Sequence, residues 1–166
     1  VYGELIAKEG GKIIAADIYE DSAKRLADLT GGTVVGPDEI HGVDCDVYAP
    51  CALGGSINDQ TIPQLKARVV CGAANNQLLE QRHGMELRER GILYAPDYVV
   101  NAGGLINVYN ELVPGGYDED RAMAQMDKIR ENLLQIFALA REEGICTSVA
   151  ADRFGDQRVA AAMASK

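Results

Sequence analysis

Short apolar, β-branched runs alternate with amphipathic stretches over the first hundred residues of the chain. KIIAADI, TVVG, DCDVYAP, ARVVCGAA and GILYAP carry the strand signal, recurring at spacings of roughly 12 to 24 residues. Between the first two, EDSAKRLADLTGG puts Ala23, Leu26, Ala27 and Thr30 on one helical face and closes on two glycines. TIPQLK and LLEQRHGMELRERG read as helical connections between the later strands. Ahead of them all, VYGELIAKEGG reads as the second half of a helix, with Tyr2, Leu5 and Ile6 on one face and Gly10-Gly11 as its stop. Strands alternating with helices require right-handed crossovers, which predicts an α/β fold with a parallel sheet and helices on both faces. KIIAADI has the continuous apolar character of a strand buried on both sides.

Past Asn101 the strand signal stops. GGLINVYNELV reads as a helix entered through two glycines. The stretch from Asp118 to Glu143 reads as a long amphipathic helix with Met126, Ile129, Leu133, Ile136, Phe137 and Ala140 on its buried stripe, ended by Gly144. An alanine-rich helix follows from about Ser148 to Ala164. No repeat or linker interrupts the chain, so residues 1–166 are expected to form a single domain with a helical tail from about 117 to 166.

Composition narrows the partners. The 166 residues carry a net charge of −9, from 25 acids against 16 bases, with no lysine or arginine cluster. Nucleic acid and anionic membranes would be repelled. No apolar run approaches the roughly 20 residues of a membrane helix, and the acidic and basic residues among the first twenty leave no signal-peptide core. Cys45, Cys51, Cys71 and Cys146 show no Cys-x-x-Cys pairing and sit among apolar residues, which predicts buried free thiols in a reducing, cytoplasmic compartment. His41 and His83 lack metal-like spacing and read as surface or supporting histidines; no metal site is expected.

In open parallel sheets ligands bind beyond the carboxyl ends of the strands. The first strand ends in Asp17, where a carboxylate either accepts from adenosine ribose hydroxyls, favouring NAD over its phosphorylated form, or simply precedes a helix. DVYAP is followed by CALGG, small residues that permit close backbone approach or make a plain turn. RVVCGA is followed by Ala74 and three adjacent amides, Asn75, Asn76 and Gln77, which suit a nicotinamide carboxamide and ribose. After ILYAP, Asn101 stands before two glycines, either aimed into a cleft or capping the next helix.

The segments DCDVYAPCALGGSIND, GAANNQL, RHGMELRERGILYAPDYVVNAGGLINV and VAADR, in this order, closely resemble the Rossmann-like cofactor domain of the glutamate/leucine/phenylalanine/valine dehydrogenases, nearest to the leucine and valine dehydrogenases. That resemblance implies NAD-dependent oxidative deamination of an aliphatic amino acid, such as leucine or valine, to its 2-oxo acid and ammonia. By motif, Asp17 and Ile18 would flank the adenosine ribose, Cys51 and Ala52 the adenine, and Ala73, Ala74 and Asn75 the nicotinamide ribose. Asn101 would hold the nicotinamide end and face the substrate. Leu105 and Val108 would contact the substrate side chain, and their i, i+3 spacing puts them on one helix face; core packing is the other reading of that pair.

Two parts of the family pattern are not found. The Gly-x-Gly-x-x-Gly turn belongs about 20 residues before Asp17, at or ahead of Val1, so the first strand is missing with it. The family's lysine-bearing catalytic domain is also missing, and no catalytic residue is assigned. The expected form is therefore a Rossmann-like sheet lacking its first strand, inactive as an isolated chain. In the order 3-2-1-4-5-6 that loss opens two apolar edges at the centre, which predicts self-association into a homo-oligomer. The alternative is a binding or assembly module derived from the same domain, without redox chemistry.

Overall fold

A computed structural model describes residues 2–165. They divide into two compact units, with the boundary between Asp44 and Cys45. The architecture is α/β, with parallel strands and helices on both sides.

In the first unit, α1 (Tyr2–Lys8) leads to β1 (Ile14–Ala15), α2 (Glu20–Thr30) and β2 (Thr33–Val34). β1 and β2 pair in parallel, Ile14 against Thr33 and Ala15 against Val34. α2 stops where the sequence predicts. Gly31 adopts a left-handed φ of 66°, and its N–H closes on the Ala27 carbonyl. Ala23 is the buried residue of α2, with Leu26, Ala27 and Thr30 half-buried on the same side. α1 differs from its expected amphipathic form: none of its described residues is fully buried, and Tyr2 and Leu5 are 43% and 55% exposed.

In the second unit, β3 (Val47–Tyr48), β4 (Val69–Val70) and β5 (Leu93–Tyr94) form a parallel sheet in that order. Tyr48 lies against Val70, and Val70 against Tyr94. The strands thus form two hydrogen-bonded sheets, β1-β2 and β3-β4-β5. Burial alternates along each strand of this sheet. Tyr48, Val70 and Tyr94 are inside, whereas Val47 and Leu93 are 49% and 40% exposed. β1 likewise buries Ala15 and leaves Ile14 36% exposed, so it is buried on one face, not on both as its composition suggests. α3 (Arg82–Glu89) follows β4 and buries Leu87 completely. TIPQLK forms only a 3-10 turn at Ile62–Gln64. Asn58 closes that turn early, its Oδ1 accepting from the N–H groups of Gln60 and Thr61.

Four helices complete the chain: α4 (Asp97–Val100), α5 (Gly103–Leu112), α6 (Glu119–Glu143) and α7 (Thr147–Ala164). Asp118 caps α6, its carboxylate accepting from the Arg121 N–H at 2.7 Å, and Gly144 ends it with φ 65°. Ile136, Ala140, Ala150 and Ala151 form a buried cluster, flanked by Val99, Leu139, Ile145 and Phe154. Burying Ile136 alone contributes about 1.5–3 kcal/mol, so the α6–α7 contact anchors the helical segment. No helix among the described residues is long and apolar enough to cross a membrane.

Candidate functional site

The loops after β3 and β4 are zipped together at the carboxyl end of the sheet. Ala74 donates its N–H to the Pro50 carbonyl (2.9 Å), Gly55 to that of Asn76 (2.7 Å) and Ile57 to that of Gln77 (2.9 Å). Glycines permit this approach. A Cβ on Gly72 would sit 2.2 Å from the Pro50 oxygen, and one on Gly54 2.8 Å from the Asn75 oxygen. At Gly54 the small residue of CALGG thus allows close approach to the neighbouring loop.

The three adjacent amides separate into different roles. Gln77 is completely buried, and its Nε2 donates to the carbonyls of Gly72 (2.8 Å) and Ala74 (3.0 Å), on either side of Ala73. Its buried Oε1 has no partner among the described residues, which costs about 1–3 kcal/mol. Gln77 therefore does not face a ligand, contrary to the expectation from its type. Asn76 occupies the left-handed region, φ 52°, and turns the chain. Asn75 is exposed.

Asn101 ends α4 and does not cap α5, whose capping position falls on Ala102 with no side-chain bond. Instead Asn101 Nδ2 donates to Asn75 Oδ1 at 2.6 Å, with the Ala74 oxygen 3.5 Å away. With that pairing made, Asn75 Nδ2 offers donors and Asn101 Oδ1 an acceptor, and neither has a protein partner among the described residues. Ala73 is exposed, whereas Ala74 is 4% exposed, its N–H given to the Pro50 carbonyl and its own carbonyl accepting from Gln77 Nε2.

Four and seven residues beyond Asn101, α5 carries Leu105 and Val108, 74% and 52% exposed. Core packing does not account for that pair. The far end of α5 is pinned by its buried Asn110. Arg121 Nε donates to Asn110 Oδ1 (2.5 Å), its Nη2 donates to the Gly116 carbonyl (2.5 Å), and Asn110 Nδ2 donates to Gln125 Oε1 (2.7 Å).

Cys51 and Ala52 are exposed on the loop after β3. Exposure of Cys51 corrects the expectation of four buried thiols. Cys146 is buried, Cys45 and Cys71 are half-buried, and none of the four forms a disulfide. Burial pushes the Cys71 thiol above its ordinary value. In the first unit, Asp17 is exposed and its Oδ1 accepts from the Tyr19 N–H at 2.8 Å, leading the chain towards α2; Ile18 beside it is 80% exposed. A carboxylate oxygen has a second lone pair and a sibling oxygen, so this turn leaves acceptors for ribose hydroxyls.

His83 is completely buried, which leaves the supporting reading and not the surface one. Together with Asp59 and Glu86 it brings donor atoms within 4.8 Å of one another. This trio is a poor metal centre. His83 Nδ1 accepts from the Glu80 N–H at 3.0 Å, so the neutral ring carries its proton on Nε2, where a metal would need the lone pair. Arg82 already engages Asp59, Glu80 and Glu86 at 2.6, 2.8 and 2.6 Å. Its guanidinium holds the Asp59 and Glu80 carboxyls below their ordinary range.

A cleft of ≈ 250 Å³ borders the amide loop, lined by Asn76, Leu79, Tyr94, Asp97, Tyr98 and Asp152 among others. The Tyr94 hydroxyl donates to Asp97 Oδ1 (2.9 Å) and that of Tyr98 to Asp152 Oδ1 (2.6 Å). Desolvation, then these carboxylates, raise both phenols, which act here as donors and not as bases.

The arrangement can be set beside known proteins. A family model described as glutamate/leucine/phenylalanine/valine dehydrogenase matches residues 1–166. A leucine dehydrogenase of Geobacillus stearothermophilus is 52% identical over 152 residues, 92% of this chain and 41% of that protein. One from Bacillus cereus is 50% identical over the same shares. The crystal structure of L-tryptophan dehydrogenase from Nostoc punctiforme superimposes with a TM-score of 0.91 at 46% identity, covering 95% of this chain and 47% of that one. The chain spans less than half the length of each of these relatives.

Proposed function

Because the chain belongs to the glutamate/leucine/phenylalanine/valine dehydrogenase family, we propose that it is the NAD-binding domain of an enzyme that oxidatively deaminates an apolar amino acid. The observation that carries this reading is the Asn75–Asn101 pair, one donor-rich and one acceptor end left open at the carboxyl ends of β4 and β5. A nicotinamide carboxamide has the complementary set, a carbonyl for Asn75 Nδ2 and an NH2 for Asn101 Oδ1. These residues fit the group.

In this reading Asn75 and Asn101 orient the carboxamide, and the backbone of Ala73 and Ala74 lies along the adjoining ribose. Cys51 and Ala52 border the adenine. Asp17 accepts from the adenosine ribose hydroxyls beside Ile18, and its charge disfavours a phosphate there, which selects NAD. Bound NAD supplies the hydride acceptor. Asn101 also faces the substrate, and the exposed Leu105 and Val108 meet its side chain; apolar contacts there favour an aliphatic group such as that of leucine or valine over a carboxylate.

The 166 residues alone are expected to form no NADH from leucine, valine or phenylalanine. Hydride transfer needs both reactants held in near-attack geometry, which the family achieves with two domains. Self-association is part of the same proposal, as is a reducing cytoplasm that keeps the four thiols free. Crystals soaked with NAD test the reading. Density for the carboxamide against Asn75 and Asn101 is expected, and ordered NAD bound elsewhere on the chain would contradict it.

A further inference from the structure

We infer that Gln77 is the positioning residue of the nicotinamide end, a buried amide that sets the Gly72–Asn75 turn so that Asn75 meets Asn101. The role rests on the cofactor reading of that pair, but its geometry can be tested without a ligand.

The turn from Gly72 to Asn76 contains no helix or strand, so no regular ladder holds its carbonyls. Gln77 supplies the missing donors. Its one NH2 group has two hydrogens, and both are used, on the carbonyls at either side of Ala73. That choice fixes the amide's orientation, because the flipped form would set Oε1 against two carbonyl oxygens. It also explains why Oε1 is left buried and unpartnered. The position of Gln77 is itself fixed by its backbone, whose carbonyl accepts from Ile57. Side chain and backbone of one residue therefore tie the amide loop to its own turn and to the loop after β3.

The consequence reaches Asn101. Ala74, one of the two tethered residues, directly precedes Asn75 and also lies 3.5 Å from Asn101 Nδ2 through its carbonyl oxygen. Freeing that carbonyl would let the Asn75 side chain leave its 2.6 Å partnership with Asn101. Neither Asn75 nor Asn101 touches Gln77 through a hydrogen bond of its own, so the effect is exerted through the turn.

The test is the solvent-exchange rate of the Asn101 side-chain amide, read from heteronuclear NMR spectra of the chain and of two variants. Gln77→Met keeps the length of the side chain without its donors, and should speed exchange about tenfold, as expected for loss of one net hydrogen bond. Backbone amides of Leu87 and Ile136, in the cores of α3 and α6, should not change. Gln77→Glu adds a readout that packing would not move. Its carboxyl, when protonated, regains one donor, so exchange at Asn101 should slow towards that of the unaltered chain as the pH is lowered, each rate compared at equal pH. This second variant also decides the matter where Gln77→Met fails to fold.

Exchange at Asn101 unchanged in Gln77→Met, or a Gln77→Glu chain with no pH-dependent recovery, would overturn the inference. Titration of the unaltered chain with NAD separates the two claims. Absence of any NAD-induced shift would remove the cofactor reading while the ligand-free exchange rates still judge Gln77.

Discussion

Asn101 Nδ2 donates to Asn75 Oδ1 across 2.6 Å and 26 residues of sequence, joining the segments that leave β4 and β5. Each amide gives up one group to the other and keeps one without a partner among the described residues. Substitution of Asn101 should therefore damage binding more than folding. Asn101→Leu removes both the tether and the open acceptor at a half-buried site, and should weaken NAD binding at least about tenfold while costing about 1 kcal/mol of stability or less. NMR titration and urea unfolding measure the two effects separately.

The glycines that let the loops meet have measurable roles. At Gly72 a methyl group would meet backbone atoms of Pro50 at 2.2 and 2.5 Å, which no side-chain rotation relieves. Gly72→Ala should destabilise the second unit by about 1–3 kcal/mol through overpacking. Gly91→Ala is the informative contrast. That site has open space but a φ of +73°, so its cost, up to about 1–2 kcal/mol, reflects backbone strain alone. Urea midpoints of the two variants give the comparison.

Arg121 is the only charged group bonded to the buried Asn110 among the described residues. Arg121→Ala leaves the Asn110 oxygen atoms without that donor and should cost about 1–3 kcal/mol. Arg121→Lys should recover little of it, because a single ammonium does not reproduce the guanidinium fork that reaches both Asn110 and Gly116. Thermal unfolding with circular dichroism checks the order: unaltered, then Lys, then Ala.

Alkaline pH should unfold the second unit through its buried phenols. Burial pushes the Tyr48 hydroxyl from 10.0 up to about 12, and raises Tyr94 as well. The unfolded chain loses these protons first, so it binds fewer protons than the folded chain above 10.0. Stability is thus full below that pH and falls as pH rises towards about 12. Phenolate absorbance should show part of the seven tyrosines ionising together with loss of helicity, not before it.

Local chemistry in the sequence foretold the elements well. Gly31 and Gly144 stop α2 and α6 as their positions suggest, and Asp118 starts α6. Five parallel strand signals and the helix breaks between them needed only periodicity and glycine. What escaped was decided by contacts distant in sequence. Gln77 resembles Asn75 and Asn76 as a residue type, yet the pairing of its backbone with Ile57 turns it inward. Asn101 precedes a helix as a cap would, but its partner lies on another loop. His83 gave no sign of burial, because the turn that encloses it closes on the amide of Glu80 and faces Asp59 from a separate loop. For Leu105 and Val108, helical spacing marked the shared face, and only their exposure set that face apart from the core.

The most direct measurement is a titration of the chain with NAD followed residue by residue in heteronuclear NMR spectra, which registers even weak binding. Shifts are expected at the side-chain amides of Asn75 and Asn101 and at the backbone amides of Ala73 and Ala74, with a second group at Asp17 and Ile18. No shift at Asn75 and Asn101 at millimolar NAD, or shifts confined to other surfaces, would contradict the cofactor reading.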